Sequence, residues 1–343
     1  MSDTTTNSGG LPTVRLGADG PLVGVQGLGC MGMSEFYGET DEAAARETLE
    51  TALGAGVTLF DTADIYGQGD NEEFLAPFVR AHRDEITLAT KFAVERRRDD
   101  PTYRMIRNDP PYIRQAVEAS LRRLGTDVID LYYMHRRDPA VPLSESVGAM
   151  AELVAEGKVR HLGLSEVTGA ELREAHAVHP IAAVQSEWSL FSRDVERSAV
   201  GAAAELGVAF VPYSPLGRGF LTGAFTDAAT DLSSGDFRQS QPRFTGENAR
   251  HNADLLDPVR KAAKAHGATL GQIALAWVHQ RAAVHGLPVV PIPGTRKSSR
   301  VLENTAAARI TLDEMELAWL DPIAEHVAGD RYPDMSSTSA DRE

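Results

Sequence analysis

Short apolar runs rich in β-branched and aromatic residues alternate along this chain with segments whose apolar positions recur at helical spacing. The runs at 57–60, 86–90 and 128–134 read as buried strands, and further strands are expected at 27–29, ending at Ser165, at 182–185, at 208–213 and at 287–292. Helices are expected at 41–53, 71–82, 111–124 and 143–156. Their ends carry the usual punctuation: an acidic start at Asp41, then Gly54 and Gly56, Gly125 and Gly157 as stops. Before this alternation, 14–16 and 22–25 flank Gly17-Ala-Asp-Gly20, which predicts a hairpin.

Eight strands interleaved with helices, without a Pro/Ser-rich linker between them, predict one α/β domain: a (β/α)8 TIM barrel with an N-terminal β-hairpin. Such a barrel takes roughly 250 residues, which fits a domain spanning 12–330 between a flexible tail at 1–11 and a polar C-terminal tail at 331–343. A doubly wound sheet is the rival. Gly27-Leu-Gly-Cys-Met-Gly32 has the letters of a dinucleotide fingerprint, but it runs into Met33-Ser-Glu-Phe-Tyr-Gly38 and not directly into a helix, so the match is rejected. Two connections, 93–109 and 217–252, exceed ordinary turns and are expected to wall or cover a pocket on one rim. Arg96-Arg-Arg98 in the first of them reads as a solvated basic patch.

Composition narrows the partners. With 343 residues, 42% hydrophobic and 24% charged, the chain can bury a full core. A net charge of -15 argues against nucleic acid or an anionic membrane as the main partner, while leaving room for a small anionic ligand at a local basic cluster. Cys30 is the one cysteine, so no internal disulfide forms and a reducing compartment is compatible; no metal site is expected. The polar first ten residues lack a secretion signal and no apolar run has spanning length, which makes a cytoplasmic protein the expectation.

Asp61, Tyr66, Lys91 and His135 fall at or just past the ends of three successive strands. In parallel β/α architectures those ends carry the ligand site. A phenol, an ammonium, a carboxylate and an imidazole on one rim make a proton donor with the means to tune it. A free phenol has a pKa of about 10; a neighbouring Lys91 ammonium is expected to lower that of Tyr66, with Asp61 holding the lysine. Gly294-Thr-Arg-Lys-Ser-Ser-Arg300 follows the last strand and opens a helix, a phosphate-site pattern in which Arg296, Lys297 and Arg300 concentrate positive charge.

Phe60-Asp-Thr-Ala-Asp-Ile-Tyr-Gly67, Lys91, Leu131-Tyr-Tyr-Met-His135, Gly163-Leu-Ser165, Val184-Gln185 and Ile292-Pro-Gly-Thr-Arg296 together resemble the aldo-keto reductases, in the right order and from about 14 to 325. The resemblance implies NADP(H)-dependent reduction of an aldehyde or ketone, with Tyr66 as general acid and His135 orienting the carbonyl. It assigns Ser165 and Gln185 to the nicotinamide carboxamide, Tyr213 to the nicotinamide ring, and Tyr213, Ser214, Pro215, Leu216, Gly217 and Gly219 to the pyrophosphate stretch. Glu166 stands where many members have Asn, and is kept as an amide contact. Gly29, Cys30 and Met31 are expected beside the cofactor, as are Gly294 and Thr295; Arg296 and Arg300 are assigned to the 2′-phosphate and adenine, and Glu303 and Asn304 to the adenine edge. Met33, Phe92 and His135 are expected around the substrate, and the short polar tail is expected to leave the cavity open. Two other readings stay open: a Schiff-base aldolase using Lys91, and a cofactor-binding regulatory subunit with slow turnover. The sequence also leaves the oligomeric state open.

Overall fold

The structure, a computed structural model, describes residues 10–38, 40–100 and 102–342. Residues 1–9 of the expected N-terminal tail lie outside that range, and Leu11 already belongs to the core. The hairpin forms from β1 (Thr13–Arg15) and β2 (Leu22–Gly24), antiparallel, with Val14 opposite Val23. It puts Leu16 and Val23 into the barrel's interior cluster and so plugs one end.

Seven parallel strands follow: β3 (Leu28–Gly29), β4 (Leu59–Asp61), β5 (Thr87–Phe92), β8 (Ile129–Met134), β9 (Val159–Ser165), β10 (Ile181–Glu187) and β11 (Ala209–Tyr213). Their spatial order is the order of the chain. β4, β5, β8 and β10 are buried at every position, because helices cover one face and the barrel interior the other; this is why they read as continuous apolar runs and not as alternations.

The expected eighth strand is not a regular one. Pro288, Pro291 and Pro293 have no N–H to give a ladder, so segment 288–294 is held by scattered bonds: Phe210 N to Pro288 O (2.8 Å), Val290 N to Phe210 O (2.9 Å), Ile292 N to Pro212 O (3.0 Å) and Gly27 N to Pro291 O (2.9 Å). A Gly29–Gly294 bridge completes the closure between first and last strands. Inside, Leu59, Ala89, Leu131, Tyr133, Ala183, Ala209, Val211, Val290 and Ile292 form one cluster. Tyr133 lies opposite Gly163, where a Cβ would sit 2.4 Å from the tyrosine ring, so that glycine is a packing requirement.

The four expected helices occur as Glu42–Gly54, Asp70–Ala81, Pro110–Leu124 and Leu143–Ala155, the first capped by the Asp41 carboxylate and the third ended by Gly125 at φ 64°. Helices at Gly169–Val178, Ala199–Leu206, Asp257–His266 and Leu270–His285 complete the outer ring. Connection 93–109 is no open loop: β6 (Val94–Arg96) and β7 (Arg104–Ile106) pair in it as an antiparallel ribbon. Its arginines are paired with carboxylates, Arg96 with Glu35 and Arg98 with Asp70, and are more than a solvated patch. Segment 217–252 winds through short helical turns and ends in helix Gly246–Asp254. Among the described residues, no helix is long and apolar enough to cross a membrane.

Candidate active site

Lys91 and Phe92 show how a strand's two-residue period divides the work. Lys91 points inward and is fully buried; Phe92 points outward and stacks on Tyr132 at 5.0 Å between barrel and helices. Phe92 therefore does not line the rim, contrary to expectation. Met33 is likewise packed in a core cluster with Leu28 and Phe60. Of the three expected substrate-pocket residues, only His135 lies with Asp61, Tyr66 and Lys91.

These four side chains come together at the strand ends. The Lys91 ammonium donates to Asp61 Oδ1, to Thr62 O (2.8 Å) and to Tyr66 Oη (3.4 Å). The Tyr66 ring meets His135 edge-on at 5.9 Å. Tyr66 is delivered by the turn Tyr66–Gly69, in which Gly67 and Gln68 take φ of 57° and 55°; a glycine there makes the sharp reversal over the mouth sterically easy. His135 is fixed by its own N–H, which donates to Phe92 O (2.8 Å).

Three residues support this cluster: Gln185, in a role other than the one expected, and Asn71 and Glu72, which the sequence reading missed. Gln185 Nε2 donates to Asp61 Oδ2 (2.9 Å), so one carboxylate oxygen is held by Lys91 and the other by Gln185. The amide assigned to the nicotinamide thus braces the ion pair. Asn71, fully buried, accepts from Thr62 Oγ1 (2.6 Å) and donates to Cys30 O (2.9 Å) and Ser34 Oγ (2.6 Å), lashing the ends of β3 and β4 together. Glu72, also buried, accepts from Thr90 Oγ1 (2.6 Å) and Arg123 Nε (2.7 Å). The signal for both was present: polar residues on the apolar face of the predicted helix.

Electrostatics revise one expectation. Burial pushes the Tyr66 phenol above its ordinary value, and the nearby Lys91 ammonium offsets only part of that. Lys91 is itself held above the usual lysine range, its burial outweighed by Asp61 and Tyr66. His135 is pushed well below 6.5, by burial first and then by Arg136, Lys91 and Arg104. At neutral pH the site holds a protonated phenol, an ammonium and a neutral imidazole.

The cofactor-side residues divide. Ser165 is buried at the end of β9, its Oγ accepting from Arg136 Nη1 (3.3 Å). Beyond β11, Ser214, Gly217, Arg218 and Gly219 take φ of 48°, 54°, 56° and 93°, a run of left-handed backbone that bends Pro215 and Leu216 around the rim. Gly29 and Gly294 approach so closely that a Cβ on Gly29 would sit 3.0 Å from Ile292 O. Cys30 is buried with its thiol toward Leu28 O, and Met31 starts the short turn Met31–Met33. Thr295 Oγ1 accepts from Lys297 N (3.2 Å) at the entry to helix Ser298–Ala306. Arg300 on that helix is exposed; Glu303 accepts from Thr269 Oγ1 (2.7 Å), and Asn304 is buried.

Two placements are corrections. Arg296 turns away from its helix and donates to Gly32 O (3.3 Å), Gly38 O (3.1 Å), Thr40 Oγ1 (3.0 Å) and Tyr37 O (2.7 Å), so it clamps the loop after β3. Glu166 is no free amide contact. Its carboxylate accepts from Arg331 Nη1 (3.2 Å), Tyr213 Oη (2.7 Å) and Ser339 N (3.0 Å), and together with Arg136 these partners hold its pKa down at about 2 despite complete burial. Its φ of 51° is one that non-glycine residues seldom adopt, and the buried bonds keep it there. The polar tail therefore does not leave this side open. Arg331, Thr338 and Ser339 are buried, and Tyr332 Oη accepts from Arg218 Nη2 (2.6 Å).

The sequence model of the Aldo/keto reductase family matches residues 27–325. Among solved structures, the chain is similar to a glycerol dehydrogenase from Gluconobacter oxydans (28% identity, 94% of this chain and 98% of that one, TM-score 0.80). It is also similar to the holo form of an aldo-keto reductase from Bacillus halodurans (26%, 94% and 99%, TM-score 0.75). A third similar structure is an aldo/keto reductase from Klebsiella pneumoniae in complex with NADP and acetate (27%, 93% and 98%, TM-score 0.66).

Proposed function

The chain belongs to the aldo/keto reductase family, and on that premise we propose that it is an NADPH-dependent reductase converting an aldehyde or ketone to the alcohol, with Tyr66 as proton donor. The observation that carries this reading is the Asp61–Lys91–Tyr66 chain at the strand ends beside a neutral His135.

When bound, NADPH supplies the hydride. The residues present fit such a group. In an acidic protein, Lys297 and Arg300 stand exposed at the start of helix Ser298–Ala306, with no carboxylate partner among the described residues, where a 2′-phosphate would gain both charge and helix N–H donors. The left-handed turn 217–219 suits the diphosphate, and Ser165 the carboxamide.

The chain's own residues handle the proton. Tyr66 keeps its proton at neutral pH and gives it to the carbonyl oxygen as negative charge grows there. The phenolate left behind is stabilised by the Lys91 ammonium at 3.4 Å, and solvent returns the proton. His135, neutral, is a hydrogen-bond partner for the carbonyl oxygen and not a competing acid. Asp61 and Gln185 hold Lys91 in place.

An aldolase would need a neutral, nucleophilic Lys91. Here the lysine is engaged by three acceptors and held protonated, which favours the reductase. NADPH consumption with a panel of simple aldehydes and ketones tests the proposal. Steady-state turnover is expected, whereas binding of NADPH with no turnover of any carbonyl would point to the regulatory-subunit reading.

A further inference from the structure

Most cations around the mouth are matched by acids. Lys91 has Asp61, Arg96 has Glu35 at 2.7 Å, Arg218 has Glu187 at 3.1 Å and Arg331 has Glu166 at 3.2 Å. Arg104 and Arg136 make no direct ion pair: among the described residues neither has a carboxylate within salt-bridge distance, although Glu35 and Glu166 act on them through space. Arg136 Nη1 bonds only neutral groups, His135 O (2.7 Å) and Ser165 Oγ (3.3 Å). Glu166, which faces Arg136 from the neighbouring strand end, is already engaged by Arg331 and Ser339.

The backbone brings both arginines toward His135, from two different connections. Arg136 follows His135 directly, and Asn108 Nδ2 ties its carbonyl (3.0 Å) to the exit of the 94–106 ribbon. Arg104 lies on β7 directly opposite Arg96, whose guanidinium also donates to Ile65 O (3.3 Å), next to Tyr66. The ribbon is thereby pinned over the tyrosine turn. Arg136 and Arg104 lie near enough to each other to repel, and both depress His135. Like charges left together beside a reacting group, unpaired in the resting protein, favour an anion brought by the ligand.

We propose that Arg104 and Arg136 form an anion subsite beside Tyr66 and His135, so that the preferred substrate is an aldehyde or ketone carrying a carboxylate or phosphate near its carbonyl. This rests on the reductase reading and names the substrate class within it. Arg136 lies deeper and orients the anion; Arg104, exposed on the ribbon, captures it.

Matched probes separate charge from shape. 4-Carboxybenzaldehyde and its neutral carboxamide, 4-formylbenzamide, have nearly the same form, and because the carboxamide is the more electron-withdrawing group, ring electronics do not favour the charged member. Glyceraldehyde 3-phosphate against glyceraldehyde supplies the phosphate arm. The wild-type protein is expected to favour the charged member of at least one pair by about ten- to a hundredfold in kcat/KM, the range of one charge-assisted hydrogen bond. The pair that shows it identifies the group. The preference should fall as ionic strength rises. Arg104→Gln, at an exposed position that leaves the core intact, should cut the charged-to-neutral ratio severalfold through KM, and Arg104→Lys should restore part of it. Turnover of both neutral probes with no charge preference would overturn the subsite while leaving the reductase standing. A preference unmoved by Arg104→Gln would overturn the role given to the ribbon. Absence of turnover on every carbonyl would instead defeat the reductase reading beneath it.

Discussion

Two buried carboxylates sit at strand ends of the barrel, Asp61 with Lys91 and Glu166 with Arg331, and their surroundings differ. The first pair spans 30 positions of sequence and joins the ends of neighbouring strands. The second spans 165 and fastens the C-terminal segment to the rim. Burying an ion pair is costly unless further bonds satisfy it, and each pair has such bonds. Around Asp61–Lys91 these are Thr62 O, Gln185 and, leading outward, the phenol of Tyr66. Around Glu166–Arg331 they are Tyr213, Ser339 and Asp194, with the Tyr213 phenol donating to the carboxylate itself. Burial of charge alone therefore does not mark a catalytic centre. What distinguishes the first pair is that its phenol, Tyr66, adjoins the ammonium, whereas Tyr213 adjoins the carboxylate of the second.

Breaking each pair is the strongest way to test that distinction. Lys91→Met and Arg331→Met each leave a buried carboxylate without its cation, a loss of about 3–5 kcal/mol in comparable cases. Both should lower the thermal unfolding midpoint. Only Lys91→Met should also remove most turnover; Arg331→Met should keep kcat within about tenfold of wild type, a small part of the range of general-acid effects. Equal losses of turnover would erase the difference between the two sides.

The pH profile sharpens it further. With the Tyr66 pKa raised from 10.0, the proton stays in place through neutrality, and carbonyl reduction should decline only as pH rises past that value. Alcohol oxidation needs the phenolate and should run the opposite way, gaining with pH. His135, held well below 6.5, should add no acidic limb until pH falls far under that figure. Steady-state rates in both directions between about pH 4 and 11 check all three signs. A reduction rate that halves near pH 7 would contradict the raised phenol.

Smaller effects belong to the cofactor end. Arg300→Ala should weaken NADPH by about tenfold and leave NADH nearly unchanged, as expected for one lost charge-assisted bond. Arg296→Ala should affect both cofactors alike, because its guanidinium ties the 32–40 loop. Fluorescence-quenching titrations of both variants with both cofactors separate the two roles.

The two sides also differ in how far their sequences reveal them. Asp61, Lys91 and His135 sit at ends of apolar runs, and a parallel β/α order sends such ends to one rim, so their meeting was legible. Local strand and helix patterns likewise gave the barrel and the hairpin, but they missed that three prolines reduce segment 288–294 to isolated bonds. The tail was illegible for a physical reason. Its residues are polar, and polarity predicts solvent unless a distant buried partner exists; Glu166 is that partner, and nothing local to either segment announces it. Arg296 misled in the same way. Counting charges near a helix start does not register the backbone carbonyls of the 32–40 loop, which are acceptors without charge. Gln185 was found as a polar strand-end residue, yet its bond to Asp61 depends on the barrel's closing across 124 positions.

The account turns on Tyr66 as the proton donor, and Tyr66→Phe tests it with one atom removed. NADPH oxidation with a simple aldehyde should fall by about 10²–10⁴-fold in kcat, the usual weight of a general acid, while NADPH titrated into the same variant binds as in the wild type. Retention of more than a third of wild-type kcat, or a loss explained by weakened NADPH binding, would contradict the assignment.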